Sequence, residues 1–165
     1  MSYKFSKAFS AVLGLERLSG DSQLENTEET KVFTPFYGTN HKFNGHMDYF
    51  YVGSGHGNVG LQDIYLQLNA KLPKVNFGAH THIFSATADV RDPENITEAM
   101  SKGLGTEIDL FFSFKLAKGV TFKGGYSQMF ASETMEAVKG GDKSETNNWA
   151  YAMILFKPTL FEHKK

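Results

Sequence analysis

The chain has no cysteine. Disulfides and cysteine-ligated metals are therefore excluded. It has little net charge, a formal −1 over 165 residues, which excludes a broad nucleic-acid-binding surface. No apolar run approaches the roughly 20 residues of a membrane helix, and mean hydropathy is −0.34. A transmembrane β-barrel passes that filter, because only alternate residues of its strands meet lipid. The segment Met1-Ser2-Tyr3-Lys4-Phe5-Ser6-Lys7 lacks the apolar core of a signal peptide. Either an export signal stands upstream of an internal Met1, or the chain is not exported. No nucleophile constellation stands out, so the chain is not read as an enzyme, and no cofactor is implied.

What is present points to strands. Hydrophobic residues make up 41% of the chain, which argues against disorder, and 16 Gly with 15 Phe suit an all-β protein. Residues 60–72 show the pattern best. Leu61, Asp63, Tyr65, Gln67, Asn69 and Lys71 alternate with Ile64, Leu66, Leu68, Ala70 and Leu72. A strand turns successive side chains to opposite faces, so one face is apolar and the other polar. Such a segment is long enough to cross a bilayer as a tilted strand of about 9–11 residues.

The same alternation predicts strands over 9–19, 75–88, 105–116, 120–131 and 148–157. In the last, both faces are apolar, and Lys157 places Trp149, Tyr151 and Met153 on the inner side. Pro73-Lys74 and Ala117-Lys118-Gly119 read as tight turns, Pro ending the pairing. Long connections follow Ala88 and Ala131. Asp92 and Pro93 predict a short helix over 94–102. Ser132 predicts a turn of helix stopping at Gly140-Gly141.

Tight and long connections must alternate in an up-and-down barrel. Residues 20–59 are then one long excursion, or hide two strands over 31–36 and 43–52. The excursion is aromatic, and is expected to fold inward as a constriction loop carrying His41, His46, Asp48 and Tyr49. Six to eight strands result: an all-β, antiparallel, up-and-down transmembrane β-barrel, a single domain over 1–165 or the carboxy-terminal segment of a larger barrel. Six strands are too few to enclose anything, and eight give a filled barrel.

The inward polar set comprises Asp63, Gln67, Asn69, Lys71, His80, His82, Glu107, Asp109, Lys115 and Lys123. Rings of such groups set charge selectivity in a pore. His80 with His82 has a chelating spacing, but a zinc site needs about three or four converging ligands. Glu107 with Asp109 has a spacing compatible with a glycosidase acid pair. Alternating polar faces produce both patterns routinely, so no metal or catalytic site is assigned.

Several motifs carry a family resemblance. They are Tyr37 to Tyr51 (YGTNHKFNGHMDYFY), Gly60 to Asp63 (GLQD), Gly105 to Asp109 (GTEID), Gly125 to Phe130 (GYSQMF) and Asn147-Asn148-Trp149. The chain resembles the carboxy-terminal third of the alginate-export, porin-like outer-membrane barrels of the Bacteroidetes type. The resemblance implies a bacterial outer-membrane channel that passes anionic polysaccharide or smaller solutes. Its partners would be outer-membrane lipid and the remaining strands of a larger barrel. The exporters of that family have an arginine-rich lumen; this chain has Arg17 and Arg91. The alternative reading is a soluble β-barrel or sandwich binding a small ligand, with the apolar parity forming its core.

Overall fold

The computed structural model describes residues 1–26, 28–34, 37, 44–51, 57–159 and 161. Among these residues seven strands form one antiparallel sheet in simple sequence order. They are β1 (Ser2–Lys4), β2 (Phe9–Leu18), β3 (Leu61–Lys71), β4 (Val75–Ser85), β5 (Gly103–Ala117), β6 (Val120–Ala131) and β7 (Asn147–Phe156). One helix, α1 (Glu133–Lys139), lies between β6 and β7. The sheet is open: β1 and β7 are its two edges.

Six strands match the expected ones to within a few residues. β1 is additional; it pairs with β2 through Ser2, Tyr3 and Lys4. The connections alternate as an up-and-down sheet requires. Tight turns join β1 to β2, β3 to β4 and β5 to β6 at one rim. Long connections join β2 to β3, β4 to β5 and β6 to β7 at the other. Residues 31–34 and 44–50 form no strand, so the two extra strands over 31–36 and 43–52 are absent from the described residues.

The expected helix over 94–102 does not form. Arg91 and Ala99 make a β-bridge instead, and the Met100 amide donates to the Val90 carbonyl at 2.9 Å. The Asp92 carboxylate accepts from the Glu94 amide, two residues on, at 2.8 Å. That is an Asx turn, which competes with the helix-capping geometry for the same side chain. α1 does form. Ser132 accepts from the Met135 amide at 3.1 Å, and Gly140 ends the helix at φ 73, an angle glycine adopts without steric cost.

The register places the two parities on opposite faces. On one face the rows run Ala70–Phe77–Phe112–Gly124–Ala152 and Leu68–Ala79–Leu110–Tyr126–Ala150. Many of these side chains are exposed, including Ile64, Leu66, Leu68, Phe77, Ile83, Leu110 and Phe130. On the other face the rows run Gln67–His80–Asp109–Ser127–Trp149 and Tyr65–His82–Glu107–Met129–Asn147. Trp149, Tyr151 and Met153 oppose Ser127, Gly125 and Lys123, the placement expected for β7. The buried apolar cluster sits at the long-loop rim. Leu18, Leu61, Phe84, Leu104 and Met129 gather there with Phe50, Val59, Val90 and Met135.

Candidate functional site

The polar face holds a cluster of carboxylates and imidazoles just below that apolar cluster. β3 supplies Asp63, β4 His80 and His82, and β5 Glu107 and Asp109. Alternation alone puts them on one side of the sheet. Asp63, Glu107 and Asp109 are at most 1% exposed, and His82 is buried. Buried carboxylates are tolerated only with partners; here one oxygen of each is partnered, while Asp63 Oδ1, Glu107 Oε2 and Asp109 Oδ2 have no hydrogen-bond partner among the described residues.

Residues 44–51 provide part of the cover. Asn44 and Gly45 take positive φ, 61 and 86. The turn they make aims two successive amides at one carboxylate. His46 N and Met47 N donate to Glu107 Oε1 at 2.6 and 2.8 Å. Successive amides around such a turn form an anion-binding concavity. The Asn44 side chain donates to Glu16 Oε2 at 2.7 Å and to Asp63 Oδ2 at 3.3 Å. His82 Nδ1 lies 2.8 Å from Asp63 Oδ2. Ser127 donates to Asp109 Oδ1, and His46 Nδ1 stands 3.8 Å from the same oxygen.

Aromatic rings complete the surface. Tyr65, Phe111 and Tyr151 lie across Gly14, Gly78 and Gly125 of neighbouring strands, where any Cβ would collide with them. His80 meets Phe111 edge-on at 4.8 Å, and His82 stacks between Tyr65 and Phe84. Tyr49 donates to Asn147 Oδ1 at 3.1 Å. Burial raises the Tyr49 phenol above its ordinary value, and the Glu107 carboxylate adds to the shift.

The residues expected to line the interior share this face but not one environment. Asp63, His82, Glu107 and Asp109 are buried. Gln67, Asn69, His80 and Lys123 are half-buried. Lys71 and Lys115 stand exposed towards the short-turn rim. Of the expected constriction loop, His46, Asp48 and Tyr49 lie against the polar face, lining a cavity of about 870 Å³ with Lys123, Trp149 and Tyr151. His41 lies outside the described residues.

No protein-family model and no curated protein matches the chain.

His80 and His82 do not converge on a common point: His82 is held by Asp63, while His80 faces His46 at 5.9 Å between ring centroids. Among the described residues no three His, Asp or Glu gather as a metal-binding group. Glu107 and Asp109 are sealed beneath residues 44–50 rather than open to a substrate. Glu16, Asn44 and Ser127 belong to the site but not to the expected set. Glu16 and Ser127 share the polar-face parity of their strands. For Asn44 the only local sign is the Asn-Gly pair, which favours positive φ.

Proposed function

We propose that the chain is part of a bacterial outer-membrane channel of the porin-like, alginate-export type, passing polysaccharide or small solutes. One observation carries this reading: the apolar face of the sheet is exposed while the charged face is covered. Ile64, Leu66, Leu68 and Leu110 are 41–51% exposed, while Asp63, Glu107 and Asp109 are at most 1% exposed. A sheet facing water would reverse that order.

The dimensions agree with a bilayer. Outward residues of β5 run from Ile108 to Leu116, about 27 Å of strand at ~3.4 Å per residue. At a barrel tilt of about 40° this spans about 20 Å, near the ~25 Å apolar band of outer-membrane barrels. The strand count adds a constraint. Seven antiparallel strands leave β1 and β7 running the same way. A closed antiparallel ring has an even number of strands, so closure here takes an odd number of further strands.

Detergent dependence tests the proposal. The folded chain should partition into detergent micelles or lipid vesicles and precipitate when detergent is withdrawn. A chain that stays folded and monodisperse in buffer alone would overturn it and favour the soluble alternative.

A further inference from the structure

The Glu16–Asp63 pair has an electrostatic problem that the channel reading does not address. The two carboxylates are direct cross-strand partners on one face of β2 and β3. Like charges so placed repel. The Asn44 amide bridges them, and His82 takes the same Asp63 oxygen that the amide takes. Asp63 Oδ1 and Asn44 Oδ1 are buried with no partner among the described residues. These residues are 1% and 3% exposed.

Both residues line a cavity of about 430 Å³, shared with Glu16, Tyr65, Gln67 and His80. That size suits a small organic ligand, for which about 300–1,000 Å³ is usual. The unfilled atoms of Asp63 and Asn44 are acceptors, so a ligand that meets them brings donors. Among the described residues no lysine or arginine lines the cavity. Arg17 sits on the opposite parity, where it meets Gln62 at 3.0 Å. An ammonium group offers three donors and no acceptor. The Tyr65 ring, stacked on His82 at 5.6 Å, gives the attached methylenes a flat wall with a negative face. No metal-type ligand group gathers among the described residues, which favours an organic cation over a metal ion.

We infer that Glu16, Asp63 and Asn44 form a binding site for the primary ammonium group of a small solute. The described lining comes from β2, β3, β4 and residues 44–46, and the inference rests on neither closure of the sheet nor membrane insertion. The test is a titration of the full chain with putrescine at constant ionic strength, read by calorimetry and by the Asn44 side-chain amide resonance. Saturable binding with a shift of that resonance is expected. Glu16→Gln should weaken it at least about tenfold by removing a charge-assisted bond. Glu133→Gln, on α1, should leave it unchanged. Glu16 is half-buried, so the Gln variant should fold, which circular dichroism checks; Asp63→Asn is the second variant. Absence of binding up to about 10 mM, equal binding of uncharged 1,4-butanediol, or calcium binding that putrescine does not displace would each overturn the inference.

Discussion

Glu107 is the residue on which the position of 44–50 turns. Its Oε1 takes two amides, and removing the acceptor would leave both donors unpaired in a buried place. Glu107→Ala should cost about 2–4 kcal/mol of stability and speed amide exchange at His46 and Met47. Gly45→Ala attacks the same contact from the other side. A Cβ at φ 86 would stand 2.4 Å from Glu107 Oε1, so a loss of about 1–3 kcal/mol is expected in chemical unfolding. Asp21 gives a pH handle. Its carboxyl is held below the usual carboxylate range by the Lys31 amide first and the Thr30 hydroxyl second. A depressed folded value stabilises the folded state above the unfolded value near 3.8, and that contribution is lost as pH falls through the folded value. The Lys31 amide resonance should hold steady down to about pH 4 and move only in more acid solution. Asn44 shows where residue-level reading stops. Its partners Glu16 and Asp63 lie 28 and 19 positions away, and no local pattern reports them.

At the scale of elements, legibility follows the range of the signal. β2 to β7 are readable because alternation repeats over ten or more residues and Pro73 or Gly119 marks a turn between them. β1 is not, because three residues carry no period; its pairing comes from β2. The two helix expectations separate on competing contacts. Ser132 caps the helix and also donates to the Gly103 carbonyl at the start of β5; Ser132→Ala should cost about 0.5–2 kcal/mol, seen first as faster exchange at Met135. Asp92 carries the same type of signal, but the Arg91–Ala99 bridge and the burial of Val90 hold that segment extended.

For the whole molecule, the sequence distinguishes the two faces but not what covers them. The shared face of Asp63, His80, His82, Glu107 and Asp109 is legible strand by strand. That residues 44–50 seal Glu107 and Asp109 is not, because the contact joins positions 60 and 61 apart. Charge on the outer face separates a membrane wall from a water-facing one. Leu110→Lys should cost about 2–4 kcal/mol in vesicles if that position lies near the bilayer midplane, measured by denaturant unfolding. In a chain facing water, the same exposed site should change by less than about 0.5 kcal/mol.

The clamp of Glu107 on residues 46 and 47 also orders the assembly of the fold in time. The β3–β4 and β5–β6 hairpins close through turns of a few residues, whereas the clamp must bring together positions about sixty apart and cannot form before β5 is in place. Local hairpins form in about 1–10 μs, while distant contacts wait on the entropy of loop closure. The wall should therefore be built first and its inner cover docked last. A protease pulse during refolding should cut within 44–50 after the hairpins have already become resistant.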